Sequence, residues 1–348
     1  MIRILVVDDS PTVRELLVTI LEAEPDFQVV GQARDGVEAV TMAVRLHPDI
    51  VTMDVRMPRC DGLEATKEIM ARAPVPILVV SSGVSDPEVQ LSLDATRAGA
   101  LMVMAPPGDP QASGFEARRE QLVAMVRAMA SVKVVRRWPG QAAAASAPVP
   151  APRATAEHST GVVAITASTG GPAALQRVLM DLPRDYPVPI LIVQHIARGF
   201  MPGLCGWLKG RCDLRVRIAS EGETLEPRTV YLAPDDVHLG VRGSDRVLLS
   251  PAPPIGGFRP SATFLFESVA QSHGSRAVAV VLTGMGRDGV AGLGAVRAAG
   301  GLVLTQDEAS SVVYGMPREA RLAGFSDMEL PLSRIAERLI EITPRTHG

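Results

Sequence analysis

The sequence predicts an α/β protein with two doubly wound parallel sheets, and three observations support this prediction. The chain has 348 residues, enough for two domains that each bury a full core. In both halves, short apolar runs alternate with segments of helical periodicity, as expected of βα units. A Pro/Ala-rich stretch at about 131–158 separates the halves and is typical of an extended linker. We therefore predict domains at residues 1–130 and 159–348.

The amino-terminal half contains five predicted βα units. Short apolar runs predict strands at Ile2–Val7, Gln28–Val30, Ile50–Met53, Ile77–Val80 and Leu101–Met104. Apolar residues three and four positions apart predict helices at Pro11–Ala23, Val37–His47, Leu63–Arg72, Pro87–Ala98 and Phe115–Met129. Because each crossover must place its helix on a face of the sheet, this alternation predicts a parallel sheet.

Three aspartates follow strands of this predicted sheet. Asp8 and Asp9 come after the first strand and Asp54 after the third, so the three carboxylates should meet at one sheet edge. Like charges at close range are unfavourable without a cation, and a site with oxygen ligands alone favours Mg²⁺. A carboxylate neutralised in this way can accept a phosphoryl group. Each aspartate taken singly is equally well explained as a solvated turn residue.

Ser81, at the end of the fourth strand, and the Met57-Pro58 turn complete a set that resembles the receiver domain of bacterial two-component response regulators. The resemblance implies that Asp54 is the phosphoacceptor and that Ser81 is the hydroxyl contacting the phosphoryl group. It further implies a Mg²⁺ site formed by Asp8, Asp9 and Asp54 with the backbone carbonyl of Arg56.

The chain departs from the receiver pattern at the end of the fifth strand. Receivers carry Lys-Pro there, whereas this chain has Ala105-Pro106. Met102 stands where an aromatic switch residue is usual. The chain therefore lacks the cation that pairs with the phosphoryl oxygens in other receivers, and this affects the output of phosphorylation more than the metal site.

The carboxyl-terminal half opens with Val162–Leu179, a stretch that predicts a strand, a tight loop and a helix. Ser168 lies at the carboxyl end of the strand, where α/β sheets bind ligands and where the next helix offers unpaired N–H groups. On its own, a serine before a helix is also what an N-cap looks like. The stretch has no P-loop lysine, no G-x-G-x-x-G spacing and no G-x-S-x-G elbow.

Two further polar residues follow predicted strands in this half. His195 follows the strand Ile190–Gln194, and Asp288 follows the strand Val278–Leu282 after a glycine-rich loop. Singly, the histidine fits a packed core residue and the aspartate a helix cap. Together with Ser168 they should reach one sheet edge, where an imidazole oriented by a carboxylate can activate a serine hydroxyl. The sequence therefore predicts a Ser-His-Asp hydrolase.

The remaining strands of this half are less regular. Leu302–Thr305 predicts another strand of the parallel sheet, and strand-like segments are predicted at Val230–Leu239 and Val247–Leu249. His238 and His273 have no partner at metal-ligand spacing, so surface or capping roles are favoured over a zinc site.

Several long motifs of this half resemble the protein-glutamate methylesterases of bacterial chemotaxis, the CheB response regulators. They are T-A-S-T-G-G-P, I-V-Q-H-I, Y-L-A-P-D-D-V-H-L, R-P-S-A-T-F-L-F-E-S-V-A, L-T-G-M-G-R-D-G and Q-D-E-A-S-S-V-V-Y-G-M-P-R-E-A. The resemblance extends over nearly the whole chain. It implies a Rossmann-like methylesterase domain that hydrolyses glutamate γ-methyl esters on chemoreceptors and deamidates glutamines there.

The same resemblance assigns roles to individual residues. It implies that Ser168 is the nucleophile, that His195 is the general base and acid, and that Asp288 orients His195. Backbone support for the oxyanion is expected from Thr169 and Met285. Expected partners are methyl-accepting chemoreceptors as substrates and a chemotaxis histidine kinase as phosphodonor. Mg²⁺ is expected at the receiver site only, and ester hydrolysis should need no cofactor. The alternative is a catalytically weak, receptor-docking scaffold with a degenerate receiver.

Composition excludes other classes of protein. A net charge of -3 and 3% aromatic residues argue against nucleic-acid binding. No uncharged apolar run is long enough to embed the chain in a membrane, and the first apolar run ends in two aspartates, unlike a signal peptide. Three cysteines without a C-x-x-C pair predict reduced thiols and a cytoplasmic location.

Overall fold

The computed structural model describes residues 1–81, 86–112, 114–132 and 160–343. The predicted linker at 131–158 falls almost entirely outside these residues, so the domain boundaries at 130 and 159 stay predictions. The described chain forms two parallel sheets, each covered by helices on both faces, and the predicted α/β fold class is confirmed.

The first sheet has five parallel strands in the order β2-β1-β3-β4-β5. The strands are β1 (Ile2–Val7), β2 (Phe27–Ala33), β3 (Ile50–Met53), β4 (Ile77–Val80) and β5 (Met102–Met104). The helices are α1 (Pro11–Glu22), α2 (Gly36–Leu46), α3 (Gly62–Arg72), α4 (Asp86–Ala98) and α5 (Phe115–Met129). All five predicted βα units are present. β3 and β4 are buried along their whole length, as expected where helices cover both faces of a parallel sheet.

Side-chain caps set the start of three of these helices. Ser10, Asp35 and Asp61 each accept the N–H three residues further on. Such a cap satisfies a donor that has no partner within the first helical turn. The helices therefore begin within one residue of their predicted starts.

The second sheet has seven parallel strands in the order β14-β13-β12-β6-β7-β9-β8. The strands are β6 (Val162–Ala167), β7 (Ile190–Gln194), β8 (Arg215–Ile218), β9 (Thr229–Leu232), β12 (Ala277–Val281), β13 (Leu302–Gln306) and β14 (Met328–Leu330). The helices are α6 (Gly171–Asp181), α7 (Met201–Lys209), α8 (Ala262–His273), α9 (Val290–Ala298), α10 (Met316–Leu322) and α11 (Leu332–Glu341). β6, β7 and β12 lie side by side and are completely buried, so they form the rigid centre of the domain.

The predicted single segment Val230–Leu239 is wrong. The chain leaves the sheet after Leu232, because Pro234 lacks an N–H for a ladder bond and Asp236 adopts a left-handed backbone conformation with φ 62°. It resumes as β10 (His238–Arg242), which pairs antiparallel with β11 (Arg246–Ser250) in a separate two-stranded sheet.

The two domains pack against each other through α4 and α7. Gly203 of α7 has no side chain at this contact, and a Cβ built there would lie only 2.3 Å from Cγ1 of Val89 in α4. Next to this contact, the buried Trp207 donates from Nε1 to Oδ1 of Asp94 over 2.9 Å. Arg211 donates to the same oxygen, also over 2.9 Å. A side chain of α4 therefore binds two side chains of the second domain.

A second contact joins β5 to the loop after β6. The backbone carbonyl of Leu101 accepts the N–H of Gly170 over 3.0 Å. The Thr169 hydroxyl lies 3.8 Å from the sulfur of Met102, the residue at the position of the receiver switch. The edge strand of the first sheet, β5, and the residue before it therefore contact the loop that carries Ser168. None of the helices in the described ranges is long and apolar enough to cross a bilayer.

Candidate active site

Strand register places Ser168 and His195 next to each other. β6 pairs with β7 so that Ala167 faces Gln194, and the next residues along the two strands are Ser168 and His195. Both residues line one small cavity, together with Gly170 and Gln194. The hydroxyl and the imidazole predicted to act together therefore share one cavity at the sheet edge.

Asp288 approaches His195 from the loop that follows β12. Its Oδ2 lies 2.9 Å from Nε2 of His195, and the two side chains are only 3% and 10% exposed. The separation is that of an ion pair, although the angle falls outside hydrogen-bond geometry. Nδ1 and Nε2 of His195 are both buried, and neither makes a hydrogen bond of acceptable geometry among the described residues. Nε2 therefore faces the carboxylate, and Nδ1 is available to accept a proton.

The charge of Asp288 is maintained by its neighbours. Burial opposes the ionised form, but the adjacent His195 and the donors of Ser261 and Ala262 outweigh burial and hold the carboxyl pKa below its ordinary value. A carboxylate that stays ionised can fix the orientation of an imidazole and stabilise its protonated form.

Phe258 covers one face of His195. The two rings stack with centroids 4.4 Å apart and an interplanar angle of 18°. The loop that carries Phe258 is held by Arg259, whose guanidinium donates to Oδ1 of Asp236 over 2.7 and 3.0 Å and to the carbonyl of Pro251 over 3.2 Å. The stacking restricts rotation of the imidazole and shields it from water.

Gln194 and Gly284 fix the serine loop, and sequence reasoning did not single out either residue. Nε2 of Gln194 donates to the carbonyls of Ser168 and His195 over 2.9 and 2.8 Å. A Cβ on Gly284 would lie 2.8 Å from the Cβ of Ser168, so only glycine fits there. The available sequence signals were a polar residue at the end of a buried apolar strand and a glycine in the T-G-M-G loop.

Thr169 follows Ser168 in the loop after β6, and Met285 lies in the loop after β12, next to Gly284, whose built Cβ would lie 2.8 Å from the Cβ of Ser168. Among the described residues, neither backbone N–H donates a hydrogen bond, whereas that of Gly284, the residue before Met285, donates to the carbonyl of Val313. The hydroxyl of Thr283 donates to the carbonyl of Thr169 over 3.0 Å and joins the two loops. Two unused N–H groups therefore remain close to the serine.

The receiver carboxylates form a second cluster, far from Ser168 in sequence. Asp8, Asp9 and Asp54 each present an oxygen within 4.8 Å of the others. Burial, followed by the charge of Asp8, raises the pKa of Asp54 to about 7. Burial raises the pKa of Asp8 to about 6, with a further contribution from Asp9. Crowded carboxylates with raised pKa values are suited to a divalent cation, which would remove their mutual repulsion.

Other predicted receiver residues lie in the loops that follow β3, β4 and β5. Ser81 is buried directly after β4, and its N–H donates to the carbonyl of Met104 at the end of β5. Arg56 lies on the exposed loop two residues after Asp54, and Ala105 follows β5. Gly62 allows α3 to approach this loop, because a Cβ there would lie 2.2 Å from the carbonyl oxygen of Asp54.

His238 does not have the predicted surface position. Its side chain is completely buried and stacks on Phe264, and its Nδ1 accepts the N–H of Ser261 over 3.2 Å. It belongs to no group of metal-ligating side chains in the described part of the chain, where the aspartate cluster is the group found.

Fold and site together define a class of protein: a response regulator whose receiver domain is joined to an α/β hydrolytic domain. Residues 163–339 match the family model CheB methylesterase, and residues 4–111 match the response regulator receiver domain. The chain belongs to the CheB methylesterase family, whose members are carboxylic-ester hydrolases.

Individual relatives agree with this assignment. The chain is 54% identical over 340 residues to protein-glutamate methylesterase/protein-glutamine glutaminase 4 of Myxococcus xanthus, covering 97% of this chain and 96% of the relative. It is 50% identical to protein-glutamate methylesterase/protein-glutamine glutaminase 3 of Anaeromyxobacter dehalogenans, and the match covers 97% of this chain and 98% of that relative. The crystal structure of the Thermotoga maritima CheB methylesterase catalytic domain matches with a TM-score of 0.52 and 38% identity, covering 53% of this chain and all of that one. The resemblance drawn from the motifs is confirmed, and the scaffold alternative is not favoured.

The aspartate cluster predicts that Asp54→Asn stabilises the metal-free protein. At pH 8, above the raised pKa of Asp54, the folded wild type must keep this carboxylate ionised in an environment that disfavours its charge. The amide of the variant carries no charge, so its free energy of unfolding should rise by about 1–3 kcal/mol. The gain should shrink as the pH falls below 7 and disappear only near pH 3, below the ordinary aspartate pKa of 3.8, where the carboxyl is protonated in both the folded and the unfolded chain. Denaturant unfolding in EDTA, followed by circular dichroism, measures the difference.

The exposed Glu15→Gln, in α1, serves as the control for removal of one negative charge. Equal gains from both substitutions, or a gain that does not shrink between pH 8 and pH 4, would contradict repulsion within the cluster.

Proposed function

We propose that this protein hydrolyses glutamate γ-methyl esters on methyl-accepting chemoreceptors, with Ser168, His195 and Asp288 as its catalytic residues. The observation that carries the proposal is the imidazole of His195 placed between the Asp288 carboxylate, 2.9 Å away, and the cavity it shares with Ser168. The names of the relatives supply the substrate class, a protein glutamate methyl ester, and a second substrate, protein glutamine.

The reaction proceeds through an acyl-enzyme. Oγ of Ser168 attacks the ester carbonyl while Nδ1 of His195 takes its proton, and the oxyanion receives hydrogen bonds from the N–H groups of Thr169 and Met285. The carbon–oxygen bond to the methoxy group then breaks, and methanol leaves with that proton. A water molecule, deprotonated by His195, hydrolyses the acyl-enzyme to glutamate and free serine. With a glutamine substrate the leaving group is ammonia.

Asp288 stabilises the protonated imidazole that forms in each half of the reaction. Its contact with Nε2 of His195 leaves Nδ1 to exchange protons with Ser168 and the leaving group. No metal takes part in these steps, because the hydroxyl, the imidazole and the carboxylate supply the nucleophile, the base and the orienting charge.

The receiver domain is proposed to regulate access to this site. Leu93, Met102 and Val103 of the receiver line the same cavity as Ser168 and His195, and the carbonyl of Leu101 occupies the N–H of Gly170. Ser168 is only 8% exposed in this arrangement, so the receiver would have to move before a receptor helix could reach the serine. Phosphorylation of Asp54 by a chemotaxis histidine kinase, with Mg²⁺ bound by Asp8, Asp9, Asp54 and the carbonyl of Arg56, would release the receiver. Ser81 would contact the phosphoryl group.

The expected partners place the protein in the cytoplasm, where histidine kinases phosphorylate response regulators. Cys60, Cys205 and Cys212 are all free thiols, in keeping with a reducing compartment.

Ser168→Ala should abolish methanol release from methylated receptor, because no other hydroxyl takes the place of the nucleophile. The expected loss is about 10³-fold or more in kcat, in line with the removal of a triad nucleophile. Release of labelled methanol from receptor-containing membranes measures it. Thr160→Ala, which removes a buried hydroxyl bonded to the carbonyl of Ile342, is a matched control away from the site. A Ser168→Ala protein that retained the wild-type rate would refute the serine mechanism.

Asp94→Ala should raise the basal rate of ester hydrolysis without a phosphodonor. The change leaves Nε1 of Trp207 without its acceptor at the domain contact, which costs about 1–3 kcal/mol of docking free energy and should increase the rate several-fold. A small phosphodonor such as acetyl phosphate should stimulate wild type more than this variant. Gln90→Ala, on the same helix and exposed, is the control. Equal rates for wild type and Asp94→Ala, with and without phosphodonor, would contradict regulation by docking.

A further inference from the structure

Asp288 is bound by the amino-terminal end of α8. This helix comes before Asp288 in the chain and is not the helix that begins after it. The hydroxyl of Ser261, the N-cap residue of α8, donates to Oδ1 over 2.7 Å. The hydroxyl and N–H of Thr263 donate to the same oxygen over 3.1 and 3.2 Å. The N–H of Ala262 donates to Oδ2 over 2.7 Å. All four donors come from three consecutive residues of the R-P-S-A-T-F motif.

These bonds fix the orientation of the carboxylate plane and leave one oxygen facing the imidazole. Three of the four donors converge on Oδ1, and Oδ2, with a single donor, is the oxygen 2.9 Å from Nε2 of His195. Rotation of the carboxyl group would break several bonds at once. The carboxylate is therefore fixed from the side opposite the histidine.

Both hydroxyls are themselves held in place. Oγ of Ser261 accepts the N–H of Thr263, and Oγ1 of Thr263 accepts the N–H of Gly289, the residue after Asp288. Each hydroxyl thus accepts one bond from the backbone and has its proton directed at the carboxylate. Ser261 is further fixed by the buried His238, which accepts its N–H. The side chains of Ser261 and Thr263 are buried, so water cannot readily replace them.

We propose that Ser261 and Thr263 are positioning residues of the esterase, whose hydroxyls fix the Asp288 carboxylate against His195. This inference rests on the proposed function, because it assigns the two residues a role in that reaction. They touch neither substrate nor the reacting atoms and act through Asp288. A weakly held carboxylate would slow the proton transfers of His195 and leave substrate binding unchanged.

The test compares hydroxyl removal with hydroxyl retention. Thr263→Val keeps the shape of the side chain and removes the donor, and Ser261→Ala provides a second removal in case the first fails to fold. Both should lower kcat for methanol release by about tenfold to a hundredfold, the effect of losing a hydrogen bond to a charged group. KM should change by less than about twofold. Thr263→Ser restores a hydroxyl and should recover most of the rate.

Ser268→Ala is the matched control on the same helix. The Ser268 hydroxyl also makes two hydrogen bonds, to the N–H and carbonyl of Val241, but these lie away from Asp288. Its loss tests whether weakening α8 is enough to reduce activity. If Ser268→Ala lowers kcat as much as Thr263→Val, or Thr263→Ser fails to restore the rate, the positioning role is overturned.

Proton NMR of the full-length protein gives a readout that does not depend on activity. The proton on Nε2 of His195, assigned by its absence in His195→Gln, should resonate at low field because it faces the carboxylate. It should shift or broaden in Thr263→Val and Ser261→Ala, and remain unchanged in Ser268→Ala. An unchanged resonance in both removal variants would overturn the inference. An inactive wild type with the expected NMR shifts would instead refute the proposed function alone.

Discussion

The parallel pairing of β6 with β7 on one side and β12 on the other is the constraint on which the proposed active site depends. These three strands are buried along their whole length and cannot slip without exposing apolar side chains or breaking ladder bonds. Their registers, Ala167 opposite Gln194 and Val281 opposite Thr166, end all three at the same edge. Residues more than a hundred positions apart in the chain therefore lie close together at this edge.

The same carboxyl side chain behaves in opposite ways in the two domains. Asp54 is half-buried among other acids, and its pKa is raised because burial and like charge both oppose ionisation. Asp288 is more deeply buried, yet its pKa is lowered because a histidine and several hydrogen-bond donors surround it. One environment therefore favours a bound cation or a transferred phosphoryl group, and the other maintains a permanent negative charge beside an imidazole.

Most strands and the edge at which polar residues gather could be predicted from sequence, because fully buried parallel strands leave unbroken apolar runs such as Ile190–Val193. The edge strands β8 and β14 could not, since β8 carries two arginines and β14 has only three residues. The contact of Ser261 with Asp288 joins residues 27 positions apart on different elements, and periodicity within one element contains no information about it. The segment Val230–Leu239 has apolar residues on both sides of Pro234, and its pattern therefore predicts one strand where the structure has a break. The family resemblance identified Ser168, His195 and Asp288 as catalytic candidates, whereas local patterns taken singly favour a helix cap, a packed histidine and a second cap.

The hydrogen bond from Gly170 to Leu101 joins the receiver to the same loop that a substrate must contact. Receiver docking weakens the binding of any molecule that fits this cleft only after the receiver has withdrawn. By linkage, such a molecule shifts the equilibrium between docked and separated domains toward separation, by the same free energy. Such coupling acts in both directions. Under the proposed function, receptor binding at the serine and phosphorylation of Asp54 would both shift this one equilibrium, and each would strengthen the other although the two sites lie in separate domains.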